Sequence, residues 1–132
     1  MIVVDASVVT NIVGDDGPTG EAARARLAAA GAASAPDLVD VEVVSVLRKR
    51  WLAGTLTAQR FKSAVVDLID LPLTRYPAAP LMMRAYELRS NVTPYDATYV
   101  ALAEGLNCPL LTGDVRLTRA AGLRCEVDIF TP

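Results

Sequence analysis

The stretch TPYDATYVALAEGLNCPLLTGDV, residues 93–115, combines a helix signal and a strand signal in one short run. Pro94 suits the first position of a helix, and the apolar residues after it recur with helical spacing. PLLT at 109–112 has the length and composition of a short buried strand. Asp96 lies in the first turn of the predicted helix, and Asp114 follows the predicted strand after one glycine. The stretch therefore indicates a helix–strand unit of an α/β fold.

The same alternation extends through the rest of the chain. Strands are predicted at 2–4, 32–36, 71–77, 109–112 and 125–130. Helices are predicted at 6–13, 21–31, 37–52, 57–70, 79–89, 94–106 and 115–121. Asp37 and Thr57 are expected to be N-caps of their helices, and Pro72 suggests an edge position for the third strand. Strands that alternate with helices predict a parallel sheet of four to five strands covered on both faces.

Length and composition favour one domain over residues 1–132, since single cores typically organise about 100 to 150 residues. The apolar fraction is high at 52%, yet no stretch approaches the roughly 18 uncharged apolar residues of a membrane span. We therefore expect no membrane segment, and some of the apolar surface is expected to meet a protein partner. The first residues, MIVVDASVV, have no basic segment and include Asp5, so they do not resemble a signal peptide. A cytoplasmic location is expected.

The chain contains no histidine, which excludes Ser-His-Asp and Cys-His catalysis and histidine-ligated zinc. Acid–base or metal chemistry must therefore use carboxylates. The two cysteines, Cys108 and Cys125, lack C-x-x-C spacing and are interpreted as small buried apolar residues. The net charge of −2 does not indicate a strongly basic nucleic-acid binder. A local arginine rim around an acidic site would still be compatible with that average.

Four acidic residues are candidates for a common site. Asp5 follows the first strand and Asp114 follows PLLT, so parallel strands would bring both to the carboxyl edge of the sheet, where open α/β sheets bind ligands. Glu42 lies among valines, where a carboxylate is costly to bury unless it is paired or bound to a cation. Asp96 is the possible fourth member.

Carboxylates that converge in one pocket repel one another, and a cation relieves that repulsion. Oxygen ligands without histidine or cysteine favour Mg²⁺ or Mn²⁺, and such ions can support phosphodiester hydrolysis. On this interpretation, Asp114→Asn should raise the melting temperature in the absence of metal. The alternative is that the aspartates are only helix caps. Asp5 and Asp114 suit N-cap positions, and Thr93 with Asp96 has the spacing of a capping box.

Four segments together resemble the PIN-domain ribonucleases, and within them the VapC toxins of bacterial type II toxin-antitoxin pairs. They are MIVVDAS, APDLVDVEVVSVLRK, TPYDATYVALAEGLNCPLLT and TGDVRL, and they span nearly the whole chain. The resemblance implies a PIN-like three-layer α/β/α domain. It also implies a metal-dependent endoribonuclease that uses Mg²⁺ or Mn²⁺. Carried over by position, the catalytic and metal-binding acids are Asp5, Glu42, Asp96 and Asp114.

The resemblance also implies roles for neighbouring polar residues. The hydroxyls of Ser7 and Thr112 are expected to support the acidic site. Arg48, Lys49 and Arg116 are candidate RNA contacts, although each also suits a solvated helix face or a helix end where cations offset the dipole. Some relatives carry a further acid just after the position of Asp114, whereas Arg116 lies in that region here. A second metal position is therefore left open.

The implied partners are an RNA substrate, a cognate VapB-type antitoxin and a second copy of the chain in a homodimer, with a larger toxin-antitoxin assembly as a further possibility. The main alternative is a catalytically inactive PIN-like module that acts only through protein contacts. A phosphoacceptor receiver domain would also have a parallel sheet. It would want an acidic pair near the end of the first strand and a lysine after a late strand, and neither is evident.

Overall fold

A computed structural model describes all residues 1–132, and its centre is a five-stranded parallel sheet in the order β3-β2-β1-β4-β5. The strands are β1 Ile2–Val4, β2 Ala33–Pro36, β3 Thr74–Tyr76, β4 Leu110–Thr112 and β5 Val127–Ile129. All five lie within the predicted ranges, and β3 occupies an edge of the sheet as Pro72 suggested. The predicted α/β fold with a parallel sheet is confirmed.

Six α-helices cover the sheet. They are α1 Ala6–Gly14, α2 Pro18–Ala30, α3 Val39–Leu52, α4 Ala58–Asp70, α5 Met82–Glu87 and α6 Pro94–Leu106. Two short 3₁₀-helices span Ala79–Leu81 and Val115–Arg119. α1 packs against α2, α3 and α4, whereas α6 packs against α5 and lies on β1, β2 and β4. The sheet thus has helices on both faces, which gives the three-layer architecture.

Helix starts differ from the predictions at α2, α3 and α5, the last of which begins at Met82 after a 3₁₀ turn. α2 begins at Pro18, three residues earlier than predicted, because proline is well suited to the first helical turn. The prediction of Asp37 as the N-cap of α3 is wrong, since Leu38 is the N-cap residue and no side chain caps this helix. The backbone N–H of Asp37 instead donates to the carbonyl oxygen of Tyr76 at 2.8 Å, so sheet pairing continues one residue past β2. Thr57 caps α4 as predicted, with its hydroxyl accepting from the N–H of Arg60.

The pairing of β1 with β4 decides where a site can form. Val3 and Val4 pair in parallel with Leu110 and Leu111, and the N–H of Asp5 donates to the carbonyl oxygen of Leu111 at 2.9 Å. The sheet extends through β2 and β3 on one side of this pair and through β5 on the other. Such a reversal of strand order opens a crevice at the carboxyl edge. The segments after β1 and β4 therefore meet at the place where α/β sheets bind ligands.

Much of the apolar composition goes into one core around the central strands. Val3, Val4, Leu110 and Leu111 are fully buried, and helix residues from both faces pack against them. Cys108 and Cys125 are free thiols that are only partly buried. Burial raises the pKa of both thiols, that of Cys125 to about 11. None of the helices has the length and apolar character that crossing a membrane requires.

Candidate active site

Asp5 is the most firmly held of the four predicted acids. It follows β1 as the N-cap of α1, and its Oδ1 accepts from the N–H of Ala6 at 2.8 Å. Its Oδ2 accepts from the hydroxyl of Thr112 at 2.7 Å and from the hydroxyl of Ser7 at 3.0 Å. The Asp5 carboxylate is therefore fixed from two directions, by the helix that it caps and by the end of β4.

Ser7 and Thr112 also hold the loop that carries Asp114. The Thr112 hydroxyl accepts from the N–H of Asp114 at 3.1 Å, and the Ser7 hydroxyl accepts from the N–H of Gly113 at 3.3 Å. Thr112 is fully buried, so this arrangement is shielded from water on one side. Each hydroxyl donates to Asp5 and accepts from the Gly113–Asp114 loop. Together they set the spacing between Asp5 and Asp114.

Glu42 enters the same region from the first turn of α3. It is half-buried, and its Oε1 accepts from the hydroxyl of Tyr99 at 3.0 Å. Burial raises the pKa of this carboxyl and repulsion from Asp5 and Asp96 adds to the rise, which the Tyr99 hydrogen bond only partly offsets. No lysine or arginine bonds to Glu42, so its charge is not compensated within the chain.

Asp96 has the same electrostatic character as Glu42. It lies in the first turn of α6, where its N–H donates to the hydroxyl of the N-cap residue Thr93 at 3.2 Å. Burial raises its pKa, and repulsion from Asp5 and Asp114 raises it further, which outweighs the opposing effects of Thr93 and Arg116. The capping contact predicted for Thr93 is present, yet capping leaves the Asp96 carboxylate without a basic partner.

Asp114 differs because it has a cation beside it. It is the N-cap of the 3₁₀-helix Val115–Arg119, and its carboxylate accepts from the Arg116 Nε at 3.0 Å and from Nη2 at 2.8 Å. Hydrogen bonding to Arg116 lowers the pKa of Asp114 and outweighs the effect of burial. Arg116 itself is 86% exposed. Asp114 is therefore paired with an exposed side chain at the acidic edge.

The four carboxylates line two adjoining grooves. One groove is lined by Asp5, Glu42 and Asp96, and the other by Asp96 and Asp114. Asp96 belongs to both and joins them into one acidic edge. As the side chains stand, no group of three or more Asp, Glu or Cys residues is gathered closely enough to hold a metal ion. The donor set of oxygens alone fits a hard divalent cation, and the raised pKa values of Glu42 and Asp96 mark the uncompensated charge that such a cation would neutralise.

The three basic residues predicted to contact RNA fall into different positions. Lys49 lines the groove of Asp5, Glu42 and Asp96. Arg48 is exposed on α3 and does not line either groove. Arg116 lies in the second groove and is bonded to Asp114. Of the three, Lys49 and Arg116 are next to the carboxylates.

Sequence reasoning missed one polar contact of the site, the Tyr99 hydroxyl. An aromatic residue within a helical pattern is typically a packing residue, and the Tyr99 ring is indeed buried at 1% exposure. A signal was nevertheless present, because a buried tyrosine hydroxyl needs a hydrogen-bond partner. Tyr99 also lies three residues after Asp96, which places the two on neighbouring positions of one helix face.

Comparison with known proteins identifies the family and the fold of the chain. Residues 2–123 match the PIN domain family. The chain is 40% identical to VapC ribonuclease Mb0985 of Mycobacterium bovis (strain ATCC BAA-935 / AF2122/97) over 129 residues, which cover 98% of each chain. It superposes on VapC20 of Mycobacterium tuberculosis, described as a sarcin-ricin loop cleaving toxin, with a TM-score of 0.70 and 18% identity over 93% of this chain and 96% of that one.

A second structural neighbour is VapBC2 from Rickettsia felis, solved with a DNA fragment from its promoter. Its TM-score is 0.68 at 14% identity, with 96% of this chain and 98% of that chain covered. Identities this low support the shared fold alone. The family assignment depends instead on the family match and on the near-complete coverage at 40% identity. The chain is a PIN-domain protein that belongs to the VapC ribonuclease family.

Proposed function

We propose that this chain is a metal-dependent endoribonuclease and the toxin of a type II toxin-antitoxin pair, built as one PIN domain over residues 1–132 and acting in the cytoplasm. The observation that carries the proposal is a pair of half-buried carboxylates, Glu42 and Asp96, without a basic partner at the edge shared with Asp5. Uncompensated carboxylates reduce stability unless a ligand uses them. The 40% identity to a VapC ribonuclease supports RNA as the substrate class.

The proposed cation ligands are Asp5, Glu42, Asp96 and Asp114, and oxygen-only ligation favours Mg²⁺ or Mn²⁺. When bound, such a cation activates water and stabilises the leaving oxygen of a phosphodiester. Ser7 and Thr112 keep Asp5 oriented through their hydroxyls. Asp114 would be available to a cation after its two hydrogen bonds with the exposed Arg116 side chain break. Arg116 would then be free to contact a phosphate.

We propose that the RNA backbone passes over the basic residues at the rim of the two grooves. Lys49 has the strongest support, because it lines the groove of Asp5, Glu42 and Asp96. Arg116 is next, since it lies beside Asp114. Arg48 is exposed one residue before Lys49 and would act at longer range. Lysine and arginine side chains in such positions neutralise phosphates, and their contribution falls as salt concentration rises.

The proposed protein partners are a VapB-type antitoxin that inhibits the enzyme and a second copy of the chain in a homodimer. These subunits would also be able to join a larger toxin-antitoxin assembly. The fold of the chain is similar to that of a chain in the VapBC2 structure from Rickettsia felis. Large apolar side chains are exposed on α3, α4 and α5. They include Trp51, Leu52, Val66, Ile69, Met82 and Met83. Exposed apolar surface of this kind is typical of protein interfaces.

Cleavage of RNA by purified, antitoxin-free protein tests the proposal. Total RNA is incubated with wild type and with Glu42→Gln and Asp96→Asn, with Mg²⁺ or with EDTA, and the new ends are mapped. Glu21→Gln is the matched control, because Glu21 is an exposed acid on α2 whose side chain forms no hydrogen bond. Wild type and the control should cleave only with metal, and both site variants should be inactive. Cleavage that persists in EDTA, or in either site variant, would overturn the proposal.

The alternative is a PIN-like module that binds proteins and has lost nuclease activity. The pairing of Asp114 with Arg116, and the lack of a gathered metal-binding cluster, are the observations that favour it. Such a module gives no metal-dependent cleavage in the same assay. It would also show no stabilisation by Mg²⁺ or Mn²⁺ in thermal unfolding, which separates it from an enzyme that lacks its preferred RNA.

A further inference from the structure

We propose that Tyr99 is a positioning residue of the acidic site, which holds the Glu42 carboxylate in the orientation that binds the cation. This inference rests on the proposed function. Tyr99 is on α6, whereas Glu42 is on α3, and the Tyr99 hydroxyl donates to Oε1 of Glu42 at 3.0 Å. The contact joins two elements that each supply a proposed ligand. Tyr99 would act through Glu42 without touching the substrate.

The rigidity of Tyr99 makes it suitable for this role. Its side chain is 1% exposed and is part of the hydrophobic core, so the ring position is fixed by packing. A buried hydroxyl pays a free-energy cost when it has no partner, and Glu42 is the partner that it has. Glu42, in contrast, is half-buried on a helix whose neighbouring residue Val41 is 74% exposed. Without Tyr99, the glutamate side chain would be free to rotate toward solvent.

The hydrogen bond also gives the two oxygens of the Glu42 carboxylate different surroundings. Oε1 of Glu42 accepts from Tyr99, and Oε2 accepts from no protein donor. One oxygen is therefore anchored and the other is left for an external ligand. Asp96 lies one helical turn before Tyr99 on α6, so this helix sets the position of its own carboxylate and that of Glu42. Partners that orient ligating carboxylates in this way tune metal affinity.

The test compares Tyr99→Phe with wild type in Mn²⁺ binding, measured by calorimetry or by the loss of the free Mn²⁺ signal in electron paramagnetic resonance. Phenylalanine keeps the ring in the core and removes only the donor. The dissociation constant for Mn²⁺ should rise roughly 10- to 100-fold, as for other groups that orient metal ligands. Tyr86→Phe is the control, because the Tyr86 hydroxyl is on an exposed side chain and forms no hydrogen bond. It should bind Mn²⁺ as wild type does.

A rate measurement separates positioning from a purely structural role. RNA cleavage by Tyr99→Phe should be slow at low Mn²⁺ and should recover as Mn²⁺ is raised, while circular dichroism and urea unfolding show a folded protein. A rate that stays low at saturating Mn²⁺ with unchanged Mn²⁺ affinity would overturn the role of Tyr99 and leave the proposed function intact. Wild type that neither binds Mn²⁺ nor cleaves RNA would instead overturn the proposed function and this inference together.

Discussion

Glu104 and Glu42 are both partly buried glutamates on helices, yet their surroundings are opposite. Glu104 on α6 accepts from the Arg84 Nε at 2.8 Å and from the backbone N–H of Arg124 at 2.7 Å. Burial raises the pKa of Glu104, but these hydrogen bonds together outweigh it and hold the pKa below its ordinary value. Burial also raises the pKa of Glu42, and there the single hydrogen bond from Tyr99 leaves it above the ordinary value.

The difference separates a carboxylate that stabilises the fold from one that is available to a ligand. Arg84 also donates to the carbonyl oxygen of Gly122 at 2.7 Å, so the Glu104 cluster joins α5, α6 and the segment before β5. Nothing comparable neutralises Glu42 or Asp96. Arg84 lies beside the partly buried Glu104, whereas at the acidic edge only Asp114 has an arginine partner, the exposed Arg116. Charge left unpaired at Glu42 and Asp96 is therefore the property that points to a cation.

The largest expected effect on stability comes from breaking the Glu104 cluster. Glu104→Gln removes the charge that pairs with the Arg84 guanidinium at 2.8 Å and leaves only the more distant Glu87, at 3.9 Å, as its counter-charge. Losing the charge from a hydrogen-bonded, partly buried ion pair costs about 2 kcal/mol, and urea unfolding at neutral pH should show a loss of that order. Asp16→Asn is the matched control, since it breaks a pair with Arg60 in which the Asp16 side chain is 76% exposed, and it should change stability much less. Equal losses of unfolding free energy in Glu104→Gln and Asp16→Asn would contradict the difference between the two ion pairs.

The same cluster predicts a pH dependence. Because the pKa of Glu104 is lowered in the folded state, its contribution to stability is complete above the unfolded pKa of about 4.3 and is lost as pH falls through the folded value. Urea unfolding at a series of pH values from neutral to acid should show wild type losing stability on acidification. Glu104→Gln cannot titrate at this position and should have a shallower acid slope. Parallel pH profiles for wild type and Glu104→Gln would exclude Glu104 as the source of the stability loss at acid pH.

Neutralising an uncompensated acid should increase the free energy of unfolding, opposite to the loss expected for Glu104→Gln. Asp96→Asn removes repulsion with Asp5 and Asp114 while the backbone N–H to Thr93 is kept, so the metal-free protein should become more stable. The gain should be about 0.5 kcal/mol, the scale of partly screened charge interactions. Thermal unfolding in EDTA measures this gain, and added Mg²⁺ should then stabilise the variant less than wild type. A loss of stability in EDTA would show that Asp96 is mainly structural.

The expectation that Asp114→Asn stabilises the metal-free protein requires revision, because hydrogen bonding to Arg116 lowers the pKa of Asp114. The smallest effect is therefore expected from Arg116→Gln. The pair is exposed on the arginine side, so the melting temperature in EDTA should barely change. Mn²⁺ affinity, measured by calorimetry, should increase because the competing cation is gone. Weaker Mn²⁺ binding would indicate that Arg116 helps to build the site.

The strand and helix pattern was largely predictable because buried strands and amphipathic helices have short-range signals. PLLT at 109–112 and the Pro94 helix start both appear where the pattern indicated them. Asp37 was mispredicted as a cap because α3 begins later than local propensity indicates, at Val39 with Leu38 as its N-cap, while β2–β3 pairing extends to Asp37. The break of the predicted 79–89 helix into a 3₁₀ turn and the short α5 was likewise not visible in local propensity.

The candidate site was predictable as a set of residues and less so as a set of interactions. Asp5 and Asp114 were expected at one sheet edge from strand order alone, and parallel pairing of β1 with β4 places the segments that carry them there. The roles of Asp5, Glu42, Asp96 and Asp114 in catalysis stay predictions. The hydroxyl contacts of Ser7 and Thr112 with Asp5, and the Arg116 pair, fix how these acids are arranged.

By itself, the sequence of this protein determined the order of strands and helices, the absence of histidine chemistry and the choice of carboxylates as the candidate reactive groups. These follow from residue type and local spacing, which the chain carries without folding. Asp114 is neutralised by Arg116 two residues away, but only the tertiary structure decided that Glu104 is neutralised and Glu42 is not. Arg84 and Glu104 are 20 residues apart, and Tyr99 and Glu42 are 57 apart. The stretch TPYDATYVALAEGL thus supplies the Thr93 cap and the Asp96 carboxylate. The groups that set the charge environment of Asp96 and of Glu42 lie on other elements than the acid itself, because charge compensation depends on distance in space.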